Sequence, residues 1–79
     1  MKSDAKRFIL AWNTVHRIGG FQADVAEVLG ITPAAVRQRA FQLRKKGTKL
    51  KLLNGMKLSR ELLRVAKQDV KDAIEEGNV

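Results

Sequence analysis

The sequence has no cysteine and a single histidine, His16, among its 79 residues. Without cysteine there can be no disulfide and no thiolate metal site, and one histidine cannot hold a zinc ion alone. The scattered carboxylates supply no nucleophile with its base and no metal cluster, and there is no glycine loop for phosphate. We therefore expect no cofactor, no metal and no enzymatic activity.

Long hydrophobic runs are also absent. The N-terminal segment leads into a short mixed apolar stretch, and no run approaches the length of a membrane span. A chain of this size builds one modest core and has too few residues left to wall a deep substrate pocket. The sequence therefore predicts a single soluble, cytoplasmic domain over residues 1–79, with no membrane partner and no small-molecule ligand.

Aromatic residues are few: three phenylalanines, one tryptophan and no tyrosine. The stacking platforms that bind single-stranded nucleic acid are therefore missing, which makes RNA a poor candidate partner. Acidic residues are absent from one part of the chain. The formal net charge is +8, and positions 34–60 contain nine of the 16 basic residues and none of the 8 acidic ones. Such a segregated excess of positive charge predicts binding to a polyanion.

Apolar residues recur at three- and four-residue spacing in four segments, which predicts four helices. The first ends at Gly19, the second spans about 21–29, the third about 33–46 and the last about 59–76. Each of the last two begins after a residue that can cap a helix, and the only proline opens the third helix. In the first helix the apolar residues form a stripe that we expect to be buried: Phe8, Ile9, Trp12, Val15 and Ile18.

The third helix has two different faces. Val36, Ala40 and Leu43 fall on one side and predict a face packed on the core. The other side is expected to point outward, and its residues are Ala34, Arg37, Gln38, Phe41 and Lys45.

After the third helix the pattern changes from helical period to alternation. Polar and apolar residues alternate from Lys49, and Asn54 and Gly55 follow. Alternation followed by Asn-Gly is the strongest short-range signal for a β-hairpin, here over residues 48–58. Two strands alone are only marginally stable, so an extended loop is the alternative. Such a loop would be pinned by Leu50, Leu52 and Leu58.

The last helix has apolar residues on more than one narrow stripe: Leu62, Leu63, Ala66, Val70, Ala73 and Ile74. Two interpretations have equal weight. The wide apolar surface could form a homodimer, or it could complete the core of the monomer, since small domains need every apolar face they have.

Residues 22–36 resemble the helix-turn-helix families of bacterial and phage regulators at the positions that define them. Ala26 is small where the two helices cross, and Gly30 permits a left-handed turn. Ile31 plugs the bend, and Val36 locks the third helix onto the second. At each of these four positions the motif limits the size or the backbone conformation of the residue, so the resemblance rests on steric grounds.

Arg39 departs from the simplest pattern, because many such proteins keep an apolar residue there. The apolar stripe resumes one residue later, and this phase, with the basic helix end and the predicted hairpin, is more similar to the winged members. The resemblance implies a mainly α fold. It consists of a helix-turn-helix three-helix core with its motif at 22–43, a short β-hairpin wing at 48–58 and a C-terminal helix at 59–76.

The resemblance also implies which residues face base edges in the major groove: Thr32, Ala34, Arg37, Gln38 and Phe41. Arginine can form two hydrogen bonds to guanine, and glutamine can form two to adenine. Arg37 and Gln38 are therefore the strongest candidates. Phe41 has two interpretations. We favour packing under the hairpin over contact with a base or sugar.

A second set is assigned to DNA phosphates, because flexible point charges give affinity without reading sequence. Its members are Arg39, Arg44, Lys45, Lys46, Lys49, Lys51 and Lys57. In a wing, Lys49 and Lys51 would share the face that lies along the backbone or minor groove. The alternative is that these lysines only solvate a helix end and an edge strand.

These observations favour sequence-specific binding of double-stranded DNA, as in a transcriptional regulator associated with the nucleoid of a bacterium or a phage-infected cell. Two alternatives stay open. One is a DNA architectural, recombination or packaging accessory factor. The other is a protein-interaction module that binds polymerase or another acidic protein through the basic face.

Overall fold

Four segments of the chain are helical in the computed structural model, which describes residues 2–76. The helix α1 spans Lys2–Ile18, α2 Gln22–Leu29, α3 Pro33–Lys45 and α4 Arg60–Glu75. The predicted end of α1 and the predicted bounds of α2, α3 and α4 agree with these bounds to within about one residue, and the mainly α class is confirmed.

Helix α1 contributes the largest share of the core. Phe8, Ala11, Trp12 and Val15 are buried, and the rings of Phe8 and Trp12 lie 5.9 Å apart between centroids. The helix packs against both α2 and α4. Each large apolar side chain buried in this way stabilises the fold by about 1.5–3 kcal/mol. The predicted buried stripe is therefore confirmed for Phe8, Trp12 and Val15, whereas Ile9 and Ile18 are only partly buried.

Helix α4 closes the other side of this core. Ala66 and Val70 are buried against the other helices, and Ser59 caps the helix by accepting a hydrogen bond from the Leu62 N–H at 3.3 Å. Because it contacts both α1 and α2, α4 completes the core of the monomer. Leu62 and Val65 remain on its outer side, each nearly half exposed.

The turn between α2 and α3 is fixed by backbone hydrogen bonds. Gly30 has φ 71°, in the left-handed region that costs an L residue energy but glycine none. The N–H of Ile31 donates to the Ala26 carbonyl at 3.0 Å, and the N–H of Gly30 donates to the Glu27 carbonyl at 3.3 Å. This Schellman arrangement ends α2 and directs the chain into α3.

The predicted β-hairpin wing at 48–58 is wrong. No strand forms within residues 2–76, and residues 46–59, named the strap from here on, run across the helices without regular secondary structure. The indole Nε1 of Trp12 donates to the Lys51 carbonyl at 2.7 Å, and the N–H of Met56 donates to the Gly19 carbonyl at 3.2 Å. The polar groups of the strap thus bond to helices instead of to a second strand.

The Asn-Gly pair also lacks the backbone geometry of a hairpin. The two-residue turn typical of Asn-Gly needs positive φ at Asn54 and at Gly55. Within the described part of the chain positive φ occurs only at Gly19, Gly30 and Gly47. Gly55 instead allows the strap backbone to approach the backbone of Gly19, which occupies the place where a Cβ atom of residue 55 would be.

The alternative of an extended loop is correct for two of its three leucines. Leu58 is buried, and Leu50 packs on the core together with Leu53. Leu52 is wrong as an anchor, because its side chain is 69% exposed. The strap is therefore held by the inward contacts of Leu50, Leu53 and Leu58, and Leu52 lies outside.

Asp24 ties the end of the strap to the start of α2. Its carboxylate is buried and accepts hydrogen bonds from the N–H of Phe21 at 3.1 Å and from the N–H of Leu58 at 3.1 and 3.2 Å. A buried carboxylate is costly unless it is bonded in this way. Gly20 leaves room for it, since a Cβ there would lie 2.9 Å from the Asp24 Oδ2 atom.

We expect Asp24→Ala to lower the free energy of unfolding by about 2–3 kcal/mol, because the buried N–H of Leu58 would lose its acceptor. Urea denaturation measures the loss, and amide hydrogen exchange should become faster at Leu58. The matched control is Glu27→Ala, which removes an exposed carboxylate from the same helix and should change stability by less than about 0.5 kcal/mol. Equal losses in the two variants would contradict this role of Asp24.

Candidate nucleic-acid interface

The outer face of α3 has no packing partner within the part of the chain that the structure describes. Val36 and Ala40 on the inner side are buried and Leu43 packs against the core, as predicted. The residues predicted to point outward are all exposed: Ala34, Arg37, Gln38, Phe41 and Lys45. They recur at helical spacing and form one continuous stripe, called the α3 face from here on.

Thr32 begins this face and also stabilises it. The residue is exposed, and its Oγ1 atom accepts a hydrogen bond from the N–H of Ala35 at 3.1 Å. Pro33 follows at the first position of the helix, where its missing N–H costs nothing. Four predicted base-contact residues, Thr32, Ala34, Arg37 and Gln38, are therefore brought together on the exposed first two turns of α3.

The favoured interpretation of Phe41 is wrong. Its side chain is 66% exposed and does not pack under residues 48–58. The reason is the path of the strap, which turns inward to Trp12 and places Leu50 and Leu53 on the core. Phe41 is left on the α3 face, beyond Arg37 and Gln38 along the helix.

Basic side chains flank both ends of α3. Arg44, Lys45 and Lys46 are exposed at its C-terminal end, and Lys49 and Lys51 follow on the strap. Lys57 lies near the other end, where it lines a shallow depression with Pro33, Gly30 and Glu27. Among residues 34–60 as described, no basic side chain forms an ion pair, whereas Arg17 is paired with Asp69 at 2.9 Å.

Two predicted phosphate contacts have particular surroundings. The Arg44 guanidinium carbon lies 5.5 Å from the centroid of the Trp12 ring, which is a cation–π contact. Arg39 is exposed and shares a small depression with Arg7, Phe8 and Leu29. Arg39 therefore lies on the α1 side of α3, away from Arg37 and Gln38.

Trp12 connects the candidate interface to the core, and sequence reasoning missed this role. The predicted burial of Trp12 is confirmed, but the same indole contacts Arg44 at the end of α3 and bonds to Lys51 of the strap. A buried tryptophan normally needs a partner for its N–H, and that rule is the signal in the sequence. It does not say which residue supplies the carbonyl.

The rest of the described surface offers little chemistry. One groove of about 480 Å³ lies between α1, α2 and α4, and none of its lining residues belongs to the α3 face. Among the side chains that the structure describes, no three from histidine, aspartate or glutamate converge as a metal site requires. None of the four helices is both long and apolar enough to cross a membrane.

Comparison with known proteins gives no match, whether with family models, with curated proteins or with solved structures. The function is therefore inferred from the residues of this chain alone.

We expect Thr32→Ala and Thr32→Ser to differ in stability. The alanine variant loses the cap on Ala35 N–H and should unfold about 1 kcal/mol more easily, whereas serine keeps the hydroxyl and should match the wild type. Thermal or urea unfolding of the three proteins measures this difference. If serine destabilised the protein as much as alanine does, the cap would not be the source of the effect.

Proposed function

We propose that this chain binds double-stranded DNA sequence-specifically and acts as a transcriptional regulator. In this proposal α2 and α3 form a helix-turn-helix, and the α3 face enters the major groove. The observation that carries it is an exposed helix face with Arg37 and Gln38, on a helix fixed from behind by Val36 and Ala40.

The dimensions and side-chain chemistry of α3 support this choice of partner. Its 13 residues give a rod of about 20 Å, and an α-helix fits the major groove of B-DNA. Arg37 can donate two hydrogen bonds to guanine, and Gln38 can both donate to and accept from adenine. Neither side chain has an ion pair or hydrogen bond elsewhere in the described part of the chain, so neither must give up a partner to bind a base.

The charge distribution supports DNA rather than a neutral partner. Lys45, Lys46, Lys49 and Lys51 surround the C-terminal end of α3, and Lys57 lies near its beginning. In the proposed complex these side chains contact phosphates on either side of the groove that α3 occupies. Such contacts fix the orientation of the protein and make its affinity depend on salt.

We expect selection from a random duplex pool to return a short motif, and Gln38→Ala and Arg37→Ala each to relax it at one position. Each substitution should remove about 1–3 kcal/mol of discrimination at that base pair. The control Gln68→Ala removes a glutamine on α4 that bonds to Asp72, and it should leave the motif unchanged. Failure of the pool to yield any motif would refute sequence-specific binding.

The same selection tests for a dimer. One small module rarely gives enough contact area for tight specific binding, so many such proteins bind as two copies. An inverted repeat in the selected motif would indicate two copies, and Leu62 and Val65 on α4 are exposed apolar side chains that a second copy could cover.

We expect the double substitution Lys45→Gln with Lys46→Gln to weaken binding to the selected duplex and to a scrambled duplex by the same factor. The slope of log affinity against log salt should fall by roughly one for each lysine that contacts phosphate. Titrations across a salt series measure both quantities. The matched control, Lys67→Gln with Lys71→Gln, removes two exposed lysines from α4 and should change neither. An equal effect of the two pairs would place the phosphate contacts elsewhere.

A further inference from the structure

The strap presents an apolar side chain that its surroundings hold outside the core. Leu52 is 69% exposed, and single exposed leucines are common on protein surfaces. Here, however, the backbone is fixed on both sides of it. Leu50 and Leu53 pack against the core, and the carbonyl of Lys51 accepts the hydrogen bond from the Trp12 indole at 2.7 Å. Leu52 therefore cannot turn inward without breaking these contacts.

The strap backbone that precedes Leu52 lies close to the C-terminal end of α3. The strap leaves the helix through a hydrogen bond from the Thr48 N–H to the Leu43 carbonyl at 2.9 Å. Three residues later the Lys51 carbonyl accepts a hydrogen bond from the Trp12 indole, and the ring of that indole also contacts Arg44 of α3. The side chain that follows this anchor is Leu52.

The surroundings of Leu52 are cationic. Lys49 and Lys51 precede it on the strap, and both are exposed. Residues 34–60 contain no acidic side chain. An apolar side chain in a basic segment that has no acidic residue is complementary to a surface with apolar walls between rows of phosphates. The minor groove of DNA has this character, since its walls are sugars and its edges are phosphates.

We propose that Leu52 enters the minor groove next to the site read by α3 and wedges into a base step, while Lys49 and Lys51 contact the flanking phosphates. This inference rests on the proposed function. Leucine is among the side chains that part stacked bases and bend the duplex toward the major groove. A flexible pyrimidine–purine step lowers the cost of that bend. The preferred DNA therefore contains a TA or CA/TG step about half a helical turn, roughly five base pairs, from the bases read by Arg37 and Gln38.

The experiment measures DNA bending by energy transfer between dyes at the two ends of a selected duplex of about 30 base pairs. The wild type should raise the transfer on binding. Leu52→Ala and Leu52→Gln should leave the duplex straighter. They should also bind it about tenfold more weakly, because they lose the free energy gained when the leucine side chain is buried on binding. Both should still select the same bases opposite Arg37 and Gln38. Since Leu52 is exposed, both variants should keep the thermal stability of the wild type.

The matched control is Met56→Ala. Met56 is on the same strap and is even more exposed, at 82%, but its backbone is bonded to Gly19 at the end of α1. Its removal should change neither the bend nor the affinity. A loss of bending in Met56→Ala equal to that in Leu52→Ala would overturn the assignment of the wedge to Leu52.

Two further outcomes separate this inference from the proposed function. If a motif is selected and depends on Gln38, but the wild type leaves the duplex straight or Leu52→Ala bends it fully, the wedge is refuted and sequence reading stands. If no motif is selected, the proposed function fails and the wedge fails with it. Retention of affinity in Leu52→Ala together with loss of self-association would assign Leu52 to protein contact and also refute the wedge.

Discussion

The hydrogen bond from the Trp12 indole to the Lys51 carbonyl connects the core of this protein to its basic surface. Trp12 is buried among the apolar side chains of α1, so its N–H needs a protein acceptor. That acceptor comes from 39 residues further along the chain. The Arg44 guanidinium lies over the same ring. One buried side chain thus fixes the middle of the strap relative to the end of α3.

The helices could be predicted from the sequence because their determinants are local. Thr32 and Ser59 cap the helices that follow them, and Gly30 ends α2, each acting within four residues. The hairpin could not be judged in the same way. The signal of Asn54 and Gly55 is also local, but the partners that outcompete a second strand lie on α1, at the end of α1 and on α2. Their approach to the strap depends on how the whole core packs.

The candidate interface likewise has one part that could be predicted from the sequence and one part that could not. Helical period alone is enough to predict that Arg37 and Gln38 share the exposed face of α3. The basic residues, by contrast, form a single group in the sequence and occupy different places in the fold. Arg44 packs on the Trp12 ring, Arg39 lies toward Arg7, and Lys57 returns to the beginning of α3. Only the path of the strap could separate them, and no spacing in the sequence encodes that path.

The strap has a fixed path although it forms no β-sheet hydrogen bonds, and this affects how it would bind a polyanion. Fixing the backbone of one residue costs about 1–2 kcal/mol of conformational entropy. Bonds to Trp12, Gly19 and Asp24, with the burial of Leu58 and the packing of Leu50 on the core, offset that cost within the folded protein. In a flexible basic segment, this loss of conformational entropy would instead occur on binding and would oppose it. Because Lys49 and Lys51 already have a fixed backbone in the unbound chain, their charges can favour one orientation of a partner as well as attract it.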